Sequence, residues 1–411
     1  LAGARVAGAA AVLVDEAFVA QASPDGADLP LLVVPYTRAG LTALAAGHLA
    51  GLDLTVVGVS GSVGKTTVKE LTADMLERSA PTIRNPGNWN NDIGLPLALL
   101  RAEANHRYGV FELGINHPGE MSGLCACLRP HAAILTEIGP VHIEFFEDEE
   151  GIAREMSVLF AGLAPGAPAV VSRENTWFRV VASESAGRLV TTGESGADYC
   201  GSWVGDHHFV VREAATGETC RCVVPLPGEY FVEEALLAIA MARQLGVSWE
   251  SISAAVEDYS PPPMRWNRRI IAQRILIDDS YNANPVSMPA ALAAFAGEPA
   301  PRHWLVLGGM LELGRHAASL HRELGAQVAS GPWAGLVAFG PWGRYVADGA
   351  REAVMPEAQI HLVSTHDEVV SCLAEMTAPD EAILVKASRA EALDRIADAW
   401  ERRLSLHRVG A

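Results

Sequence analysis

Val56-Val57-Gly58-Val59-Ser60-Gly61-Ser62-Val63-Gly64-Lys65-Thr66-Thr67 is the stretch on which the reading of this chain turns. Leu54 to Val59 is apolar and β-branched, a glycine-rich turn follows, and Thr66 to Arg78 is rich in helix-forming residues. Strand, loop and helix in that order are the setting a phosphate-binding loop requires. Glycines let backbone N–H groups converge on a polyphosphate, and the helix N-terminus adds partial positive charge. Lys65 then reaches the outer phosphates and the Thr66 hydroxyl can ligate Mg²⁺. The expected nucleotide-binding set is Gly61, Ser62, Val63, Gly64, Lys65, Thr66 and Thr67. The spacing departs from strict G-x4-G-K-[ST], because Val59 stands where the first glycine belongs and Gly58 lies one residue earlier. A merely flexible Gly/Ser turn is the competing reading, and the Lys-Thr pair with its flanking strand and helix speaks against it.

Working outward, 411 residues suggest two or three domains, and 49 % apolar residues allow sizeable cores. A net charge of −18 argues against nucleic acid or a membrane surface as partner, since a phosphate backbone wants a basic face. No apolar run approaches the roughly 18 residues of a membrane span. The alanine-rich start lacks a basic secretory n-region. A cytoplasmic chain is expected, and one that begins at Leu1 lacks its natural start. The six cysteines include Cys125/Cys127 and Cys220/Cys222, spacings that without further Cys or His partners read as free thiols.

Residues 1 to about 50 carry two strand-like runs, 10–14 and 31–34, and a helix-like stretch from Gly40 to Gly51. From Leu54 to Ser172 strands (108–113, 132–136, 169–172) alternate with helices (119–128, 149–160), which predicts a mostly parallel α/β sheet. Residues 198–224 read as short antiparallel strands, followed by a helix over 232–245. Pro261-Pro262-Pro263 marks a linker, because consecutive prolines continue neither helix nor central strand. Beyond it, strands at 274–278, 303–307, 336–339, 359–363 and 381–385 predict a second doubly wound sheet. The expected domains are 1–51, 52–263 and 264–411.

Ligands of such sheets belong at the strands' carboxyl ends, and polar residues gather there. Asn88, Asn90, Asn91 and Asp92 form a loop, Glu112 ends a strand, and Asn116, His117, His142 and Glu144 follow strand ends. Glu112 and His142 could hold Mg²⁺ with Thr66, Glu112 being the better hard-oxygen donor and a hydrogen-bonded structural role being open to the histidine. The acidic run 147–150 precedes a helix and reads as a capping feature. Asp278 to Pro285 ends a strand with groups suited to a ribose and phosphates, or to a turn. Arg265, just after the prolines, could bring a guanidinium to the γ-phosphate once the last domain closes. Lys386 and Arg389 could hold an acidic substrate or form salt bridges.

These motifs carry a resemblance over nearly the whole chain. Gly61 to Thr67, Gly87 to Gly94, Glu112-Leu113-Gly114, Asp278 to Pro285, Met310 to Gly314 and Leu384 to Arg389 resemble those of the Mur ligases, ATP-dependent amide-forming enzymes of peptidoglycan synthesis. The resemblance implies a UDP-substrate domain, a central ATPase domain and a C-terminal Rossmann-like domain. It implies ATP and Mg²⁺ as cofactors. Asn-Asn-Asp-Ile-Gly and Ser-Tyr-Asn-Ala-Asn-Pro imply, more particularly, UDP-N-acetylmuramoyl-tripeptide and D-alanyl-D-alanine as substrates, joined through an acyl phosphate by a monomer. Carried over residue by residue, Lys65 neutralises the transferred phosphoryl group, Thr66 and Glu112 hold one Mg²⁺ and His142 a second. Arg265, Asn282 and Asn284 meet ATP from the closing domain, and Asn90, Asn91, Asp92, Lys386 and Arg389 bind substrate.

Four departures from the family pattern stand out. Met156 occupies the position of a carbamylated lysine that helps hold the second Mg²⁺, and a thioether cannot replace a carboxylate-like ligand there. Glu155 points about 100° away around the helix. Tyr230, Phe231 and Glu234, after Pro227-Gly228, replace a His-Asn and a later Asn of the nucleotide pocket, and Gly309 replaces an aspartate. The N-terminal domain is short. Two alternatives therefore stay open: a relative redirected to another acid and amine, and a nucleotide binder with weakened turnover.

Overall fold

The β-branched run before the glycine loop becomes the strand around which the largest sheet is laid. The computed structural model describes residues 1–21, 29–205, 207–224, 226 and 229–409. Its α/β chain forms three sheets. Val12–Asp15 (β1) and Leu31–Val34 (β2) make a two-stranded parallel unit backed by the helix Thr37–Ala50.

The second sheet has nine strands. In chain order these are Thr55–Ser60 (β3), Thr82–Arg84 (β4), Tyr108–Glu112 (β5), Ala132–Leu135 (β6), Pro168–Ser172 (β7), Arg188–Gly193 (β8), Tyr199–Gly205 (β9), His208–Glu213 (β10) and Thr219–Val223 (β11). Their spatial order is β11-β10-β9-β8-β7-β6-β3-β5-β4. The strands from β4 to β9 pair in parallel, whereas β9, β10 and β11 form an antiparallel meander on one edge. The loop strand β3 is thus central, buried on both faces, which is why it reads Val-Val-Gly-Val without polar alternation. One face packs the helices Lys65–Glu77, Glu229–Gln244 and Trp249–Glu257 around Val57, Val59 and Ile134. The opposite face packs Glu120–Leu128 and Glu149–Ala161 around Phe111 and Leu135.

The third sheet comprises Asn267–Ile271 (β12), Arg274–Asp278 (β13), His303–Leu307 (β14), Gly335–Phe339 (β15), Ile360–Val363 (β16) and Ala382–Lys386 (β17). Its order is β12-β13-β17-β14-β15-β16, parallel except for the edge pair β12–β13. Strands β4, β8 and β12 and the helix Trp249–Glu257 go beyond the sequence expectation. β4 has three residues, and Arg188-Leu-Val-Thr-Thr-Gly and Asn267-Arg-Arg-Ile-Ile carry too few alternating apolar residues to announce a strand. No helix among the described residues is long and apolar enough to cross a membrane.

Candidate functional site

The loop after β3 takes its shape from two glycines. Gly61 has φ 140°, and a Cβ there would lie 2.0 Å from the Thr136 hydroxyl. Gly64, at φ 83°, caps the helix Lys65–Glu77, and a Cβ there would lie 2.6 Å from Glu234 Oε1. The loop is pinned to the turn after β6. Ser62 N and Val63 N donate to the Glu137 carbonyl at 2.7 and 3.3 Å, Ser62 Oγ donates to Gly139 O at 3.0 Å, and Gly139 N donates back to Ser62 Oγ at 2.9 Å. Lys65 Nζ donates to the loop's own carbonyls, Gly61 O at 2.7 Å and Ser62 O at 3.2 Å. Burial lowers the pKa of its ammonium, Glu112 raises it and Arg265 lowers it again. A desolvated cation held on its own loop is ready to turn toward incoming phosphate oxygens.

Thr66 is where the two larger sheets meet. Its Oγ1 donates to Glu112 Oε2 at 2.8 Å and accepts from Arg265 Nη2 at 2.9 Å. Glu112 Oε1 accepts from Asn90 Nδ2 at 2.8 Å. The Glu112 backbone is held on both sides by Asn85, through Asn85 Nδ2 to Glu112 O at 3.0 Å and Glu112 N to Asn85 Oδ1 at 2.9 Å. A buried carboxylate so oriented has its oxygens aimed rather than free to rotate. Sequence reading missed Asn85, whose only signal was another asparagine at the head of an Asn-rich loop.

The sequence leads one to expect Arg265 at the loop only on closure; the structure shows the chain with that contact already made. Its guanidinium lies over the Tyr281 ring, 4.1 Å from the centroid. Its neighbours Met264 and Trp266 both have left-handed backbone, φ 62° and 57°, a conformation that costs about 1–3 kcal/mol per non-glycine residue. The third sheet holds them there, Tyr281 N donating to Met264 O at 3.0 Å and Trp266 N to Asp279 Oδ1 at 3.3 Å.

The surrounding cleft of about 720 Å³ is lined from Ser62 to Thr67 and by Asn90, Glu112, His142 and Lys386. Asn91, Asp92, Asn282 and Asn284 also line it. All four of these last are already engaged. Asn91 Oδ1 accepts from Gly94 N at 2.8 Å, Asp92 pairs with Arg38 at 2.7 Å, and Asn284 Oδ1 accepts from Ser287 N at 2.8 Å. Asn282 Oδ1 accepts from Ala283 N at 2.9 Å. Lys386 is buried, its Nζ 2.5 Å from Asp279 Oδ2 and 3.1 Å from Asn282 O. Gly61 and Arg389 are both outside the lining, the Arg389 guanidinium resting on Asp394 at 2.8 Å.

The other flank of the cleft is built differently. His142, in left-handed backbone at φ 54°, turns its Nδ1 to the Glu312 carboxylate. Burial lowers its pKa while Glu312 opposes the shift. Met156 is 1 % exposed, packed in the core with Ile152 and Phe160 and absent from the cleft lining. Glu155 Oε1 is taken by Met121 N at 2.8 Å. Asp148, in the acidic run, caps its helix through Gly151 N at 2.8 Å, and His117 pairs with Glu120. All six cysteines are free thiols.

The magnesium reading can be tested against these donors. Thr66 and Glu112 present hard oxygens 2.8 Å apart, which suits an ion that keeps most of its waters and takes one carboxylate and a hydroxyl from protein. Among the described residues no three His, Cys, Asp or Glu side chains cluster to hold a metal, so an all-protein cage is not the design. His142, facing Glu312 and lacking a second anionic neighbour at Met156, fits a second ion less well.

Near the loop, Phe231 and Tyr259 pack with ring centroids 5.5 Å apart, and Thr67 hydrogen-bonds both Glu234 and Tyr259. Burial pushes the Glu234 carboxyl up to about 7. Glu137, whose carbonyl holds the loop, is likewise raised to about 7 by burial. Pro227-Gly228 and the Tyr230 side chain lie outside what is described.

Residues 59–242 match the Mur ligase middle domain, and residues 264–389 match the Mur ligase, glutamate ligase domain. The UDP-N-acetylmuramoyl-tripeptide--D-alanyl-D-alanine ligase of Escherichia coli (strain K12) is 30 % identical over 417 residues, covering 97 % of this chain and 86 % of that protein. The enzyme of the same name from Haemophilus influenzae is 33 % identical over 322 residues, covering 76 % and 69 %. Among solved structures, a crystal structure of MurF from Acinetobacter baumannii superposes with a TM-score of 0.88 at 28 % identity, covering 98 % of this chain and 87 % of that one. MurF ligase from Thermotoga maritima, solved in complex with ADP, shares the fold with a TM-score of 0.82 at 24 % identity, covering 97 % and 90 %.

Proposed function

The chain belongs to the Mur ligase family, and from that premise we propose that it is an ATP-dependent ligase joining D-alanyl-D-alanine to a UDP-N-acetylmuramoyl-tripeptide. The observation that carries the reading is the convergence on Thr66, where Glu112 from the loop-bearing sheet and Arg265 from beyond the prolines both reach one hydroxyl at the mouth of a phosphate loop. Beside Lys65 of the loop, such an arrangement brings a second cation, Arg265, and an oriented carboxylate to one phosphoryl group, and phosphoryl transfer depends chiefly on positioning and charge neutralisation.

In this reading the loop N–H groups and Lys65 bind and orient the triphosphate. Arg265 sets its guanidinium against the γ-phosphate, braced by Tyr281. Asn85 fixes the Glu112 backbone and Asn90 holds its carboxylate beside Thr66. Mg²⁺, held by Thr66 and Glu112, would supply charge neutralisation for the phosphates. Asn282 and Asn284 contribute the nucleotide-facing wall of the third sheet, and Asn90, Asn91, Asp92 and Lys386 face the substrates. The tripeptide carboxylate takes the γ-phosphoryl group of ATP with ADP leaving, and the amine of the dipeptide then displaces phosphate from the acyl phosphate, losing a proton as the amide forms. We take 1–51, 52–263 and 264–411 as the three domains of a cytoplasmic monomer.

A specific observation also favours slow turnover: Met156 lies in the core and leaves the His142 flank short of an anionic ligand. Phosphate release and product mass with UDP-N-acetylmuramoyl-tripeptide and D-alanyl-D-alanine test the proposal. Release that requires both substrates, with one amide formed per phosphate, is the expected result; ATP binding with no release under any combination would overturn it.

A further inference from the structure

Away from the cleft, the edge strand β11 carries Cys220 and Cys222 on one face, directed with Phe209 and Val211 of β10 toward the helix Trp249–Glu257. Their sulfurs lie 3.9 Å apart. Cys222 is buried and Cys220 is half-buried, its sulfur also 3.8 Å from Trp249 O. The hydrogen bond from Cys222 brings the Cys220 thiol down to about 7, while that same bond and burial push the Cys222 thiol up.

The strand decides which chemistry this pair can perform. Residues two apart on one face of a strand are about 6.6–6.8 Å apart along the backbone, at the far end of the roughly 4.4–6.8 Å Cα separation a disulfide spans and beyond its usual 5.5–6 Å. Closing the pair would mean pulling β11 off its ladder with β10, where Cys220 faces Val211 and Cys222 faces Phe209. A bridging atom meets no such obstacle. Two metal–sulfur bonds of about 2.3 Å span at most about 4.6 Å, so the observed separation lies within reach with the strand intact. Among the described residues no third His, Cys, Asp or Glu joins the pair as a metal cluster, so the pair suits ions satisfied by two thiolates better than zinc, which takes four ligands.

We propose that Cys220 and Cys222 form a chelating site for one soft, thiophilic ion that two sulfurs satisfy, of the class of monovalent copper. Binding releases the two thiol protons and changes no oxidation state. Cys125 and Cys127 provide an internal contrast: on a helix, residues two apart point about 200° from one another and cannot share an ion.

Two probes test this on the full chain. Phenylarsine oxide condenses with a suitably spaced dithiol, forming two As–S bonds and releasing water. Intact mass should show one adduct per chain, lost in Cys220→Ser and in Cys222→Ser and kept in Cys127→Ser. Cu⁺ should likewise be retained at one per chain against a chromophoric chelator, and lost in Cys220→Ser while ATP binding is unchanged, which separates loss of the site from loss of the fold. An adduct that survives Cys220→Ser, failure of the wild-type chain to hold either probe, or ready formation of a Cys220–Cys222 disulfide under diamide would each overturn the proposal.

Discussion

The two flanks of the cleft are built to different standards. On the flank of the glycine loop, each charged or polar group has a partner that fixes its direction: Thr66 on Glu112, Glu112 on Asn90 and Asn85, Arg265 on Thr66 and Tyr281. On the flank of His142, the imidazole answers to a carboxylate from the third sheet, and the helix below presents Met156 to the core rather than an anion to the cleft. The difference teaches that a fold can keep its nucleotide-holding half intact while the half that gathers a second charge is free to vary. The glycine loop is fixed by backbone geometry, whereas the second flank rests on single side chains.

The largest effect should follow from removing a charge on the well-built flank. Lys65→Ala should lower turnover by at least about 10²–10³, the usual loss for one charge-stabilising contact. The far-ultraviolet circular dichroism should stay unchanged, because the Lys65 ammonium bonds its own loop carbonyls. Unaltered phosphate release in this variant would erase the contrast between the flanks.

An intermediate effect belongs to Glu234. Its carboxyl, raised to about 7 by burial, is neutral below that pH and anionic above it, beside Gly64 and Thr67 where phosphates are expected. Nucleotide affinity should therefore fall as pH rises through about 7. The expected drop is about three- to tenfold between pH 6 and 8, tenfold corresponding to about 1.4 kcal/mol of repulsion between the carboxylate and the phosphates. Folding responds in a lower window: with the carboxyl raised from 4.5 in the unfolded chain to about 7 in the fold, the group costs stability progressively as pH rises from about 4.5 to 7 and adds a constant penalty above that. In Glu234→Gln the affinity measured by calorimetry should be level across that range, and a slope that persists would assign it to another group.

The smallest effect should be at Arg389, which lies outside the cleft lining on Asp394. Arg389→Ala should change turnover by less than about twofold and stability by less than about 1 kcal/mol, the range of exposed ion pairs. A larger loss of turnover would move Arg389 into the site and blur the boundary of the cleft.

Much of this was legible in the sequence because it is written in local pattern. The loop, β3 and the helix Lys65–Glu77 follow from one run of residues, and the parallel strands of both large sheets follow from apolar runs buried on two faces. Glu112 was legible because it ends such a run. Asn85 was not, since its role arises only when β4 and β5 lie side by side. Arg265 was legible as a cation bound for the loop, but not that it already rests on Thr66, 199 residues away in sequence and joined only by the packing of two sheets. The partners that occupy Asn91, Asp92, Asn282 and Lys386 were equally hidden, because a polar residue at a strand end looks the same whether it awaits a ligand or completes a turn.

The contrast between the flanks is tested most directly by the magnesium dependence of turnover in the wild-type chain and in Met156→Lys, the latter with bicarbonate so that a carbamate can form. The wild-type chain should show one requirement met at low Mg²⁺, owed to Thr66 and Glu112, and a second met only at high concentration. Met156→Lys should raise turnover and bring the second requirement down, at the cost of a lower Tm from a polar group placed in the core. Brisk wild-type turnover that saturates in a single low-Mg²⁺ phase, with no gain in the lysine variant, would contradict the account.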